Sequence, residues 1–296
     1  MVTSIIDDIK QSFRSGNMVT RIIIINIAIY MVTALMEAFA PSFYHSTIIK
    51  WLAMPGAPIQ LLYKPWTIIT SLFVHAGLGH VIWNMLIFYW FGRIVGDLIG
   101  DRHILPIYLV GGIVGNIAFM ISSVLYPHII GSYAIGASAA VMATAIIAGL
   151  INPDHEIRLL FLGIIKIKFI ILAIVFFDLL GIGKQDNTGG HIAHLGGMMM
   201  GWFYMLQLGK GNDIANLINS WIGQIGNLFD KKREQKKFSR SHMTVSFKSD
   251  KVKSKTQQHT NIEQEEIDDI LDKIKKDGYG NLSDIDKEIL FKASKK

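Results

Sequence analysis

The sequence predicts an all-α polytopic membrane protein in which six helices cross the bilayer. Of its 296 residues, 51% are hydrophobic, and the mean hydropathy is positive. Six apolar runs have about the length that a hydrocarbon core of roughly 30 Å requires of a helix. Lysine and arginine collect in alternate loops between these runs. This composition does not fit an ordinary soluble domain.

The predicted spans cover the amino-terminal two thirds of the chain. The first resembles a signal peptide, because "AFA" at 38–40 mimics a cleavage site. Its apolar core is too long for a signal peptide, however, and Pro41 follows the site directly, so we predict a membrane span. The six spans are 21–40, 79–98, 104–126, 134–151, 168–183 and 190–209.

The basic residues predict the orientation of the spans, because lysine and arginine are retained on the cytoplasmic side. One set of loops contains only Lys50, Lys64 and Lys184, whereas the alternate set and the tail at 231–240 are strongly basic. We therefore expect both termini in the cytoplasm. The net charge of +6 is explained by this topology and gives no indication of nucleic-acid binding. The basic residues of the alternate loops are Lys10, Arg14, Arg21, Arg93, Arg102, Arg158, Lys166 and Lys168.

Polar side chains lie near the outer ends of the three spans that run in the same direction. Span two opens with "GHVIWNML", which contains His80 and Asn84 on one helix face. Span four contains Ser138 in "IGAS", and span six contains His191 and His194 in "GGHIAHLGGMMMG". We expect these side chains to converge at one depth, below the outer surface.

Each of these residues also has a purely structural explanation. A serine in a Gly/Ala-rich span is commonly a packing residue, and an intramembrane asparagine commonly bonds a neighbouring helix. A lone His80 at the interface is equally well explained as an anchor. Their coincidence at one depth favours a functional site, since polar groups within spans usually face a bundle interior or a wet cavity.

The residue types suit nucleophilic catalysis. A serine hydroxyl needs a base to take its proton, and His194 is the available base for Ser138. Asn84, His80 and the free backbone N–H groups in the first turn of span four can stabilise an oxyanion. We expect no acidic residue at this depth; Asp178 in "FFDLLGI" is the nearest intramembrane acid, and a Ser–His dyad is the simpler interpretation.

Small residues predict that span four is the buried central helix. Gly136 and the alanines that follow it occupy nearly all sides of this span, so neighbouring helices can approach closely. Gly197 and Gly201 form a small-xxx-small pair that would let span six pack against span four and hold His194 near Ser138.

Three motifs, "HAGLGHVIWNM", "GASAAVMA" and "HIAHLGGMMMG", resemble the signature motifs of rhomboid intramembrane serine proteases. The resemblance covers roughly 20–209 and implies a six-span rhomboid-like bundle with Ser138 as nucleophile and His194 as general base. It implies an oxyanion hole formed by His80, Asn84 and the Ser138 backbone, with His191 in a supporting role. It further implies cleavage of single-span transmembrane proteins near the outer leaflet, in a bacterial inner membrane.

Two positions depart from the family pattern. The family usually has glycine directly after the serine, whereas this chain has Ala139, whose methyl group could narrow the oxyanion pocket. The position four after the serine often carries an aromatic ring, whereas Met142 stands here and can fill that space. Both catalytic groups are kept. Met142, Gly136, Gly197 and Gly201 complete the supporting set with His191.

The chain is predicted to continue beyond the membrane domain, 1–210, in three parts. Residues 211–230 repeat apolar residues at helical spacing, which predicts an amphipathic helix on the inner leaflet. Residues 231–260 are predicted to be a basic disordered linker. Residues 261–296 predict a small helical hairpin with Ser283 as an N-cap, and we expect a cytoplasmic partner for it.

Other classes of protein fit less well. The chain has no cysteine, which excludes disulfides and Cys-based metal sites. "HIAH" lacks the glutamate of a metalloprotease helix and a third ligand, so we expect no metal and no cofactor. An aspartyl protease would need a partner for Asp178. A non-catalytic rhomboid-like membrane binding or transport protein remains the alternative.

Overall fold

The computed structural model divides into two units, Met1–Arg233 and Glu234–Lys296. The predicted linker, 231–260, and most of the predicted hairpin, 261–296, lie outside the residues that it describes. The described residues are 2–159, 163–184, 187–224, 226, 270, 273–274, 283, 285–287 and 289.

Helices dominate the first unit, as the sequence predicts. The α-helices are α1 (Val2–Ser15), α2 (Met18–Phe39), α3 (Pro41–Phe43), α4 (Ile49–Leu52), α5 (Pro58–Tyr63), α6 (Thr67–Thr70), α7 (Leu78–Ile99), α8 (Ile104–Leu125), α9 (Ser138–Ile151), α10 (Ile167–Lys184) and α11 (Thr188–Gly209). A π-helical turn covers Tyr44–Ile48, and 3₁₀ turns cover Ser71–Phe73 and Asp101–His103. Two short antiparallel pairs join β1 (Met54–Pro55) to β2 (Tyr133–Ala134) and β3 (Glu156–Leu159) to β4 (Gly163–Lys166).

The six predicted spans fall on α2, α7, α8, α9, α10 and α11, so the prediction of an all-α polytopic membrane protein is confirmed. By length and hydropathy, three of the described segments are long and apolar enough to cross a membrane: Met18–Phe39, Leu78–Ile99 and Asp101–Leu125. Helix α9 is a shorter apolar helix of 14 residues. The exact number of spans stays a prediction.

Helix α9 begins at Ser138, four residues later than predicted. The preceding residues are extended, because Tyr133 and Ala134 pair with Pro55 and Met54. Gly136 then turns the chain with a positive φ of 127°, a conformation that favours glycine. The apolar run is therefore longer than the helix, and Ser138 is the first helical residue.

Helix α9 is the buried centre of the bundle, as predicted, since nine of its 14 residues are buried. On one side, Gly111 and Gly115 of α8 face Ala143 and Ala139 so closely that a Cβ at either glycine would overlap the alanine side chain. On the other side, α11 packs Gly197 and Gly201 onto the backbone of the same two alanines. Small residues on both neighbours thus let three helices pack backbone to backbone.

Polar contacts show which helix ends lie together. The Met18 N–H at the start of α2 donates to Asp101 Oδ1 over 2.8 Å. Arg102 forms an ion pair of 3.0 Å with Asp213, which follows α11. The start of α2, the α7–α8 turn and the end of α11 therefore lie at one end of the bundle. Chain direction places the start of α9, with Ser138, at the opposite end.

The segment after α11 and the second unit are described only in part. Residues 214–224 are helical, within the predicted amphipathic helix. In the second unit, the Asp286 N–H donates to Ser283 Oγ over 3.2 Å, and Ser283 Oγ donates to Asp286 Oδ2 over 2.7 Å. This reciprocal pair is a helix cap, so the prediction that Ser283 is an N-cap is confirmed.

Candidate active site

A cavity of about 850 Å³ lies at the amino-terminal end of α9. Its walls include four of the polar residues that the sequence singles out, contributed by α7, α9 and α11. Met142, one helical turn after the serine, also lines it. The structure thus gathers around one space His80, Asn84, Ser138 and His194. His191 does not line this cavity.

Ser138 occupies the first position of α9, where the backbone N–H groups have no partner within the helix. Its side chain is partly exposed to the cavity. Among the described residues, no hydrogen bond joins Ser138 Oγ to His194. Catalytic hydrogen bonds are often long without substrate and tighten when it binds. The position therefore gives a hydroxyl beside free N–H donors and the positive end of a helix dipole.

His80 is held above Gly136. Its Nδ1 accepts from the Ala76 N–H over 3.4 Å, so the hydrogen of the neutral ring lies on Nε2. A Cβ at Gly136 would stand 2.8 Å from that Nε2 and 3.8 Å from Ser138 Oγ. Glycine at this position therefore supplies the backbone turn and also the space that lets the Nε2–H approach the serine.

Asn84 is buried, with 6% of its surface exposed. Its Nδ2 donates to the His80 carbonyl oxygen over 2.9 Å, one turn earlier in α7. The amide carries two N–H groups, so the second can point into the cavity. This bond fixes the side chain as a preorganised donor.

Replacing Asn84 with alanine is expected to lower turnover without abolishing it. One oxyanion donor is typically worth of order 10²–10³ in kcat, and the other two donors of the predicted oxyanion hole, His80 and the Ser138 backbone N–H, would remain. Cleavage of a tagged transmembrane substrate in vesicles measures this. A folded Asn84→Ala variant as inactive as Ser138→Ala would contradict the shared oxyanion role.

His194 is hydrogen-bonded on the side away from the cavity. Asp178 Oδ1, on α10, lies 2.8 Å from His194 Nδ1 and 2.6 Å from His191 Nδ1. The two imidazole rings meet edge to face at 83°, with centroids 5.8 Å apart. The expectation that no acidic residue lies at this depth is wrong, because α10 packs against α11 with Asp178 facing both histidines.

The same three residues form a group of the kind that can bind a metal, and Asp178 is the carboxylate that "HIAH" by itself lacks. The distances favour hydrogen bonds instead. Ligand atoms around a four-coordinate zinc at 2.0–2.2 Å lie roughly 3.3 Å apart, whereas 2.6 and 2.8 Å are hydrogen-bond lengths.

His75 is a further residue of the site to which the sequence assigns no role. It is 2% exposed, its ring meets that of His80 edge to face at 5.0 Å, and its Nε2 accepts from the Ala137 N–H over 3.5 Å. Burial, and then the repulsion that a protonated His80 would exert, lower the pKa of His75 to about 4. His75 is therefore neutral near pH 7, as an acceptor must be. Its place in "HAGLGH", one turn before α7, is the only sequence signal for it.

The structure also locates the two departures from the family pattern. The Ala139 methyl group faces Gly115 of α8, Ala139 does not line the cavity, and it is 4% exposed. Met142 is 9% exposed and forms part of the cavity wall. The extra methyl group therefore packs between helices and does not narrow the pocket.

Comparison with known protein families identifies the family of the membrane unit. The sequence model of the Rhomboid domain family matches residues 63–211. The chain belongs to the rhomboid family. A family of unknown function, DUF6576, matches residues 250–296. The site residues described above, from His75 to His194, all lie within the region matched to the Rhomboid domain.

Similar curated proteins carry rhomboid names. RHOMBOID-like protein 12, mitochondrial, of Arabidopsis thaliana is 26% identical over 157 residues, which cover 49% of this chain and 47% of that protein. Rhomboid protease GluP of Bacillus subtilis (strain 168) is 30% identical over 145 residues, which cover 49% of this chain and 26% of that protein. Rhomboid-like protease 2 of Toxoplasma gondii is 29% identical over 195 residues, which cover 64% of this chain and 65% of that protein. The matched region thus spans less than half of the first two relatives.

Proposed function

We propose that this rhomboid is an intramembrane serine endopeptidase that uses Ser138 and His194 as a catalytic pair. The observation that carries the proposal is the cavity at the start of α9, which gathers a hydroxyl, an imidazole and two side-chain N–H donors from three helices. The protease names of the relatives from Bacillus subtilis and Toxoplasma gondii support the same class of activity.

The proposed reaction follows from the groups present. His194 Nε2 takes the proton of Ser138 Oγ while the oxygen attacks the substrate carbonyl carbon. The resulting oxyanion is stabilised by the His80 Nε2–H, the Asn84 amide and the Ser138 backbone N–H. His194 then gives the proton to the leaving amine as the C–N bond breaks. Water, deprotonated by His194, hydrolyses the ester and regenerates the serine.

The proposed substrates are single-span transmembrane proteins cut near the outer leaflet. Ser138 lies at the end of the bundle opposite Asp101, Arg102 and the end of α11, which the basic residues assign to the cytoplasm. Residues 1–210 are proposed as the protease domain, in a bacterial inner membrane with both termini cytoplasmic. We further propose that 211–230 form an interfacial helix and 231–260 a linker. Residues 261–296 are proposed to form a hairpin that binds a cytoplasmic partner.

The test is cleavage of tagged single-span substrates by purified protein in vesicles, with a fluorophosphonate probe to mark the nucleophile. Wild type is expected to cleave and to be labelled at Ser138. Ser138→Ala should do neither yet keep its thermal stability, because one hydroxyl contributes little to packing here.

The control is Ser46→Ala, which removes an exposed hydroxyl from the π-helical turn and should behave as wild type. Cleavage by Ser138→Ala at the wild-type rate would reject the catalytic pair. If wild type and Ser138→Ala bind substrate equally well and neither protein cleaves it, the result would support the non-catalytic alternative.

A further inference from the structure

The geometry points to Asp178 as a positioning residue that orients the catalytic histidine, so we propose that Ser138, His194 and Asp178 work as a triad in which His191 holds the carboxylate in place. This inference rests on the proposed function and extends it, because the sequence predicts a dyad. Its basis is the carboxylate on α10 that meets both histidines of α11.

The hydrogen bond to His194 fixes the tautomer of its ring. An ionised carboxylate can only accept, so the hydrogen of a neutral His194 lies on Nδ1. Nε2 then carries the lone pair, which a base needs in order to take the proton of Ser138. When His194 becomes positively charged during the reaction, the negative charge of Asp178, joined to it over 2.8 Å, stabilises that state.

Asp178 is itself held by the fold. It is 5% exposed, and Oδ1 accepts from both imidazoles. Its Oδ2 is buried and has no hydrogen-bond partner among the described residues. The two histidines therefore supply its described hydrogen bonds, and removing either would leave a buried charge less well compensated.

Helix α10 makes room for His191. Gly181 lies three residues after Asp178, on the same helix face. A Cβ at Gly181 would overlap the imidazole of His191, whereas a Cβ at Gly183 would meet nothing within 4 Å. The absence of a side chain at position 181 thus lets His191 reach the carboxylate, and Gly183 gives a matched control.

The first experiment compares wild type with Asp178→Asn, which has the same size without the charge. Labelling of Ser138 by the fluorophosphonate and kcat should both fall roughly 10²–10⁴-fold, while KM stays near the wild-type value. A purely structural role would lower the amount of folded protein and leave kcat per folded molecule unchanged.

The role of His191 in holding the Asp178 carboxylate is tested by a pair of substitutions at His191. His191→Asn keeps a donor near the position of Nδ1, whereas His191→Leu removes it. His191→Leu should lose roughly 10-fold in kcat, the scale of one charge-assisted hydrogen bond, and His191→Asn should lose less. Gly181→Ala should resemble His191→Leu, and Gly183→Ala should resemble wild type.

The outcomes separate this inference from the proposed function. A wild-type protein that is neither labelled at Ser138 nor active rejects the proposed function. An active wild type with an equally active Asp178→Asn rejects the triad alone. One equivalent of bound zinc in purified wild type, lost in Asp178→Asn, would also overturn the triad, because the three side chains would then be metal ligands.

Discussion

Replacing His194 with alanine is expected to abolish proteolysis as completely as replacing Ser138. The serine hydroxyl is a weak nucleophile without a base, and His194 is the imidazole of α11 that shares its cavity. In soluble serine proteases, loss of either member of such a pair costs roughly 10⁶-fold in kcat. The measurement is the initial rate of substrate cleavage in vesicles, per folded molecule.

The double variant Ser138→Ala/His194→Ala is the sharper comparison. Groups that act as a unit are not additive, so the double variant should be no slower than either single variant. His155→Ala is a suitable control, because His155 lies beyond the opposite end of α9 and should keep wild-type activity. Independent, multiplying losses would contradict a shared proton-transfer step.

Replacing Gly197 with alanine is expected to unfold or severely destabilise the bundle. A Cβ at this position would overlap the Ala139 carbonyl oxygen and stand 3.0 Å from Ala139 Cα. These are backbone atoms of a buried helix, so α9 and α11 would have to separate. Overpacking of a rigid interior typically costs about 1–3 kcal/mol, and we expect the upper end of that range or more. Thermal unfolding in detergent measures the loss.

Gly209→Ala is the matched control on the same helix. A Cβ at Gly209 would meet nothing within 4 Å, and alanine is the better helix former, so its stability should equal or slightly exceed that of wild type. An unchanged melting temperature in Gly197→Ala would contradict the close packing of α9 and α11. Since Gly197 lies one turn after His194, any Gly197→Ala protein that does fold should also be less active.

The positions of the long helices could be predicted from the sequence because they depend on local properties. A run of apolar residues forms a helix in lipid wherever it is long enough to satisfy its own backbone. Residues 79–98 and 104–126 were therefore located to within one residue at each end. The predicted start of α9 was four residues too early, because hydropathy carries no information on the pairing of Tyr133 and Ala134 with β1.

The relation between α10 and α11 could not be predicted in this way. Helix α10 is apolar on nearly all sides, so its sequence gives little indication of which face it turns towards a neighbour. Asp178 is visible as an intramembrane acid, yet its bonds to His191 and His194 depend on that rotation. The direction of the Ala139 methyl group depends in the same way on where α8 packs.

The sequence by itself determined the class of protein, the order of its helices and four of the polar residues that line the cavity, because length, hydropathy and motif are properties of contiguous segments. Only the tertiary structure decided that Asp178 contacts the proposed base, that His75 supports the start of α9, and that α9 begins at Ser138. Each of these depends on contacts between side chains far apart in the chain. Such contacts are fixed by how tightly small residues such as Gly115 and Gly197 let the helices approach.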